Sequence, residues 1–370
     1  MLDYGQRMIF EVNRQDLRET RSSAAPSTAL EAGQIRLAIE RFAFTTNNVT
    51  YAVAGDMMDY WGFFPTTAPW GRIPAMGLAS VVESANPDIA EGGRYFGFYP
   101  MANECVISAS GSGTGFRDVG VHRANHATVY TAFRDVASDS TFREDKVDEY
   151  LLLWGMFMTS FLVDDYLADP DHSEGAFKGA SQTLVTSASS KTSIALASCL
   201  ARRDGHRAVG LTSERNRAFV EKLGLYEQVI TYDEIEQLDA AVISGVVDMA
   251  GNATVRAAIH NHFADNLALS LTVGATHWEE QGGPAEPLPG PSPELFFAPS
   301  QSARRSKDWG PDVLAERIAV AFNSLLDSTD NWLTVQHRIG GDGIEATYRE
   351  LLEGHATPDH GFVCAMQNIH

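Results

Sequence analysis

Between residues 183 and 273 short apolar runs alternate with amphipathic ones, and this alternation constrains the fold more than any other feature of the chain. Residues 183–189 (TLVTSAS) read as a strand and 191–203 as a helix. A strand at 206–212 (HRAVGLT), a helix at 214–223 stopped by Gly224, and a strand at 228–231 follow. The segment 241–249 contains a fourth strand, 252–263 is a helix, and 267–273 is a fifth strand ended by Gly274. Strands alternating with helices of about 10–15 residues build βαβ units, hence a parallel sheet covered on both faces. Ahead of this region, 147–167 holds enough apolar residues for one buried helix. Its most apolar part, 151–163, ends in Asp164 and Asp165 and is expected to be too short to span a bilayer.

The first 150 residues have a different texture. Candidate strands at 35–44, 77–84, 95–100 and 104–108 are separated by turn formers such as Asn86-Pro87 and Gly92-Gly93. Short strands divided in this way predict a partly open barrel. The run 111–115 (GSGTG) has no helix pattern after it and reads as a mobile loop, not a phosphate cradle. Beyond the alternating region, 282–299 (GGPAEPLPGPSPELFFAP) reads as a long proline-rich loop, ordered by Phe296-Phe297. Helices at 311–326 and 344–353 and a strand at 361–366 complete the chain. At 370 residues, two or three domains are expected.

Charge and cysteine content limit the partners. With 28 Lys+Arg against 48 Asp+Glu the net charge is −20, which repels phosphate backbones and anionic membranes. The expected partner is a small molecule, with no nucleic acid and no membrane. The three cysteines, Cys105, Cys199 and Cys364, are widely spaced and form no C-x-x-C, which fits a reducing cytoplasm. No secretory apolar core lies in residues 1–16.

In a doubly wound sheet the first strand–helix turn holds a pyrophosphate on backbone amides and a helix N-terminus. That turn is here 186–193 (TSASSKTS) and contains no glycine. The side chains of Ser187, Ser189, Ser190, Lys191 and Thr192 are candidates to contact phosphate; the alternative is a plain turn with a Ser or Thr N-cap. The second strand ends in Thr212-Ser213, and Arg215 and Arg217 follow. Small polar residues and arginines at this place favour a 2′-phosphate, hence NADP(H) over NAD, although Glu214 could face a ribose.

The run TLVTSASSKTSIALASCLARRDGHRAVGLTSERNRAFVEKLGLYEQVITYDE resembles the cofactor half of the medium-chain dehydrogenase/reductase superfamily, in its zinc-independent quinone oxidoreductase and enoyl reductase branch. The segments VVDMAGNATVRAAIHNHFADNLALSLTVG, IEATYRELLEGHATPDHGFV and QIRLAIERFAFTTNNVTYAVAGD are similar to further elements of that branch, and together they point to a bacterial side family. The resemblance implies an α/β architecture: a GroES-like β-barrel domain (1–145), an inserted Rossmann domain (146–300), and a C-terminal segment (301–370) rejoining the barrel. It also implies an active site in the cleft between domains and a homodimer. Family zinc ligands are absent, since Val49-Thr50-Tyr51 stands where zinc alcohol dehydrogenases carry a cysteine. His122 and His126 could ligate a metal only on a helix, and no third ligand is evident.

The enoyl reductases place a proton-donating tyrosine about a dozen residues after an Asn turn. The resemblance therefore assigns that role to Tyr60 first and Tyr51 second, with Asn48 orienting substrate or nicotinamide. Asp56 would position Tyr60 or stand exposed. Thr159, with Ser160 beside it, matches a position near the nicotinamide. Tyr60, Trp61, Phe63, Phe64 and Trp70 would line a pocket for an apolar substrate, or else form core. The expected function is an NADP(H)-dependent, zinc-independent reduction of a small enone, quinone or aldehyde. A lyase or hydrolase on the same fold, and a binding protein without catalysis, are the alternatives.

Overall fold

The computed structural model describes residues 7–24, 28–170, 176–273 and 287–367. The chain forms two compact units, Met1–Leu152 with Leu333–His370, and Leu153–Trp332. The first opens with strands β1 (Met8–Asn13), β2 (Thr20–Ala24) and β3 (Gln34–Phe44), then helix α1 (Thr46–Val53). It continues through β4 (Trp70–Gly71), β5 (Pro74–Ser84), β6 (Arg94–Pro100), β7 (Glu104–Ser112) and β8 (Gly115–Asp118). A short helix α2 (Thr128–Thr131) leads into β9 (Ala132–Asp135).

Six of these strands close a ring in the order β3-β5-β6-β9-β8-β7, with β7 returning to β3. The expected barrel was partly open; its closure comes from β3. That strand is bulged at Arg36/Leu37 and Ile39/Arg41, and bulges bend a strand enough to serve partners on both sides. Ile35, Leu37, Val81, Tyr99, Ile107, Phe116 and Phe133 are buried in the core, and Phe116 stacks on Phe133 at 4.7 Å. The GSGTG run is the tip of the β7–β8 hairpin and not a mobile loop, because Ser112 pairs with Gly115. Gly115 has φ +143, and a Cβ there would lie 2.1 Å from the Phe133 carbonyl oxygen, which explains the glycine.

Helix α3 (Val147–Ala168) leads into the second unit. There β10 (Gln182–Val185), α4 (Lys191–Leu200), β11 (Arg207–Thr212), α5 (Arg217–Lys222) and β12 (Gln228–Thr231) follow in turn. After them come β13 (Ser244–Asp248), α6 (Ala253–Phe263), β14 (Leu267–Thr272), β15 (Glu294–Leu295), α7 (Ala298–Trp309) and α8 (Pro311–Ser328). All six strands are parallel, in the order β12-β11-β10-β13-β14-β15. This is the doubly wound sheet that the alternation predicted.

Two expectations change here. The segment Glu144–Ala168 is long and apolar enough to cross a membrane by length and composition, although 151–163 looked too short. In the structure Leu153, Phe157, Leu162 and Val163 are buried, and Trp154 and Phe157 pack on Phe322 of α8 at 5.1 and 4.8 Å. The proline-rich stretch is only partly loop. Residues 282–286 and Gly274 lie outside the described residues, while 294–295 add an edge strand and α7 starts at Ala298. Of the aromatic pair, Phe296 packs on Tyr166 at 5.5 Å, and Phe297 is 64% exposed. Helices α7 and α8 carry the unit past residue 300, because Arg305 reaches Asp165 at 2.6 Å and Asp169 at 2.9 Å.

The chain then returns to the first unit with β16 (Thr334–Ile339), α9 (Gly340–Leu352) and β17 (His360–Ala365). Strand β17 pairs antiparallel with β3 at Phe42–Phe44, and β16 lies parallel on β17.

Candidate functional site

In the parallel sheet the strand order reverses between β10 and β13. Ligands of doubly wound sheets bind outside the strand ends at this point. Two loops emerge there, after Val185 and after Asp248, and buried side chains tie them together. The Thr186 hydroxyl donates to Asp248 Oδ1 (2.9 Å) and accepts from the amides of Met249 (2.9 Å) and Ala250 (3.1 Å). Asp248 Oδ1 also accepts from the amides of Ala250 (3.0 Å) and Gly251 (3.1 Å), and Oδ2 accepts from Arg256 (3.1 Å). Asp248 is 2% exposed, so its charge is balanced within the protein by Arg256 and by oriented amides.

The turn is built without glycine. Ser187 takes φ +49, the left-handed conformation that a glycine adopts without strain. Its amide donates to the Tyr232 hydroxyl (3.1 Å). The Tyr226 hydroxyl lies 3.0 Å from the Ala188 carbonyl and 3.1 Å from that of Ser193, bracing both sides of the turn. Ser190 is the N-cap of α4: its hydroxyl accepts from the Ser193 amide (3.2 Å), while the Ser193 hydroxyl donates to the Thr186 carbonyl (2.9 Å). Ser193 is fully buried and ties the start of α4 to the end of β10. A helix start leaves further donors and the positive end of its dipole at this place, so the turn fits a pyrophosphate.

Strand β11 ends beside that turn. Asn216 Nδ2 donates to the Ser189 hydroxyl (3.0 Å), joining the β11 end to the cradle. Thr212 is buried, and Arg215 is exposed, with no ion pair among the described residues. Arg217 was expected to share the 2′-phosphate, but its guanidinium is bound by Glu234 and lies 3.8 Å from Glu214. Glu234 also caps the following turn, accepting from the Thr231 amide (2.9 Å), so Arg217 is held by the fold. On α3, Thr159 is half-buried, and the Ser160 hydroxyl lies 2.7 Å from the Thr192 carbonyl.

The barrel unit carries the aromatic cluster. Tyr51 on α1 packs on Tyr60 with ring centroids 4.6 Å apart, and Tyr130 of α2 meets Tyr60 edge-on at 6.1 Å. Phe63 and Phe98 complete the group. Burial, then Tyr130, push the Tyr60 hydroxyl well above the usual phenol range, and burial does the same to Tyr51. Both are neutral hydrogen-bond donors at any physiological pH. Asn48 is not available to orient a ligand as expected. Its Oδ1 accepts from the Thr45 amide (2.7 Å) and hydroxyl (3.2 Å), and its Nδ2 donates to the Pro74 carbonyl (2.8 Å), which fixes the start of α1. Asp56 is exposed; Trp70 carries Arg21 over its ring at 4.1 Å and belongs to the small sheet β2-β1-β4. Trp61, Phe63 and Phe64 are buried core.

Sequence reading missed the support of this cluster. Arg123 is 2% exposed, lies over the Phe63 ring at 4.1 Å, and is paired with Asp118 at 3.5 Å. Burial lowers its pKa to about 10 and raises that of Asp118. The His126 imidazole packs on Phe63 at 4.5 Å, and its Nε2 lies 3.0 Å from Asp59 Oδ2. His122 stands exposed on a single 3-10 turn, Val121–Arg123, so the two histidines do not share a helix. No pattern in residues 118–130 could have revealed these contacts, which join residues up to 67 apart in sequence.

A family described as "Protein of unknown function (DUF2855)" matches residues 42–357. No curated protein matches the sequence. Among solved structures, CurA from Vibrio vulnificus in complex with NADPH is 12% identical, with 94% of each chain covered and a TM-score of 0.59. The CurK enoyl reductase is 14% identical over 97% of this chain and 99% of its own, with a TM-score of 0.60. The mycobacterial Rv1454c complexed with NADPH is 14% identical over 97% and 99%, with a TM-score of 0.57. At these identities the likeness is one of fold, a GroES-like barrel with a Rossmann domain.

Proposed function

The chain belongs to the DUF2855 family, and from that premise we propose that it is an NADP(H)-dependent reductase of a small enone, quinone or aldehyde. The observation that carries the reading is the switch point of the parallel sheet. There the start of α4 adjoins two loops locked by Thr186 and Asp248. Two structures of the same fold, CurA and Rv1454c, hold NADPH, and CurK is an enoyl reductase.

The pyrophosphate is assigned to the amides and hydroxyls of 187–192, and the 2′-phosphate to Ser213 and Arg215. Arg217 is left out, since Glu234 holds it. NADPH, when bound, supplies the hydride. The protein must then stabilise the oxyanion or enolate that develops on the acceptor and deliver a proton. Tyr60, kept neutral by burial, is assigned the hydrogen bond to that oxygen, and Tyr51 and Tyr130 fix its ring. A zinc-independent reaction belongs to the same proposal, with His122 on a single 3-10 turn and sharing no helix with His126. A reducing, cytoplasmic setting and a homodimer belong to the same proposal; the free thiols Cys105, Cys199 and Cys364 support the first.

The test is a titration with NADPH and NADH followed by tryptophan fluorescence. NADPH should bind more tightly, and Arg215→Gln should weaken NADPH by about tenfold or more while leaving NADH unchanged, as expected for a charged hydrogen bond. Tyr60→Phe should lower turnover of an enone about 100-fold with NADPH affinity intact. Failure of both nucleotides to bind would overturn the reading.

A further inference from the structure

A groove of about 520 Å³ lies in the second unit, between α3, the end of α4, and α7–α8. Its size falls within the range of small-molecule sites. Apolar side chains in its lining are Phe161, Cys199, Val313, Val320 and Ala321, and Trp309 lies beneath the guanidiniums of Arg305 and Arg317. Its charges sort into two groups. Asp164 is gripped through both oxygens by Arg203 (2.7 and 2.6 Å), and Asp165 accepts from Gln301 (2.5 Å) and Arg305 (2.6 Å). These acids are spent inside the fold. The cations left over are Arg202, at the end of α4, and Arg317, on α8, neither with an ion pair among the described residues. Arg317 is held at 4.0 Å over the Trp309 ring, so its guanidinium is positioned before any ligand arrives. Glu316 is the one acid of the lining without an ion pair or side-chain hydrogen bond among the described residues, and like Arg317 it is exposed on α8.

We infer that this groove binds an amphipathic carboxylate, with the anion between Arg202 and Arg317 and a hydrocarbon body along Phe161, Val313 and Val320. Two exposed guanidiniums without an ion pair among the described residues, beside apolar side chains, are complementary to that chemistry. They stand out in a chain of net charge −20, whose overall field opposes anions. The site is distinct from the nucleotide cradle. Both lie on α4, at opposite ends of a ten-residue helix, about 15 Å apart along its axis.

Isothermal titration calorimetry of the full chain with dodecanoate, below its micellar concentration, tests this. One-to-one binding is expected, undiminished by saturating NADPH and at least about tenfold weaker in the double variant Arg202→Gln/Arg317→Gln. Both arginines are at the surface, so the variant should keep the wild-type thermal midpoint and NADPH affinity. A second variant, Val320→Trp, fills the groove without touching a charge and should also abolish binding. Dodecanol, with the same chain and no charge, should bind far more weakly. The inference is overturned if dodecanoate does not bind, if dodecanol binds as well, if either variant binds like the wild type, or if NADPH displaces the ligand.

Discussion

Ser187 stands where a glycine would make the same turn without strain, at φ +49. A left-handed L-residue costs about 1–2 kcal/mol, which the braces from Tyr226 and Tyr232 offset. Ser187→Val should therefore destabilise the protein by more than about 1 kcal/mol, because a β-branched residue is a poor fit there; Ser187→Gly should be close to neutral. Urea denaturation distinguishes them. A second residue-scale effect concerns His206. Its ring stacks on Phe177 at 3.7 Å, its Nε2 meets Thr183 Oγ1 at 2.8 Å, and burial lowers its pKa to about 4. The unfolded chain takes up this proton near pH 6.5 and the folded chain only near 4, so the stabilisation is complete above 6.5 and is lost as pH falls between them. His206→Gln should flatten the decline of the thermal midpoint across that window; an unchanged slope would place the acid sensitivity elsewhere.

At the scale of elements, α4 depends on its first residue. Ser190→Ala removes the cap and should cost about 1 kcal/mol in denaturant unfolding. Ser190→Asp should keep the cap and the stability but repel the pyrophosphate, lowering NADPH affinity. The pair separates the structural duty of the position from its duty toward the nucleotide. Elements of this unit were legible where apolar runs announced them: β12 falls at 228–231 as expected, β11 within a residue of its run, and β13 inside the segment 241–249. The helix α7 (APSQSARRSKDW) was not, because polar residues dominate it and ion pairs from Arg304 and Arg305 anchor it. The strand β16 (TVQHRI) escaped for a similar reason, since no residue of it is buried. Of the candidate site, the turn 186–193 was visible as a turn. The partnership of Thr186 with Asp248 was not, because it joins side chains 62 positions apart.

The whole molecule carries a charge of −20, and self-repulsion at that level works against compactness. Raising ionic strength from about 0.01 to about 0.15 M shortens the screening length from about 30 to about 8 Å. The thermal midpoint should rise over that interval, read by differential scanning fluorimetry; a fall would mean that surface ion pairs outweigh the net repulsion. The division of the chain has a further consequence, for the order in which a ribosome delivers it. The ring of six strands has been synthesised by Asp135, and the parallel sheet by Leu295. The Phe42–Phe44 end of β3 meets its last neighbour only when Phe362–Cys364 emerges. At about 5–20 residues per second, that edge stays unpaired for some tens of seconds while the rest of the protein forms. The edge of Phe42–Phe44 that β17 covers is thus open from the synthesis of Phe44 until that of Phe362, and a chaperone arriving in that interval would find it there.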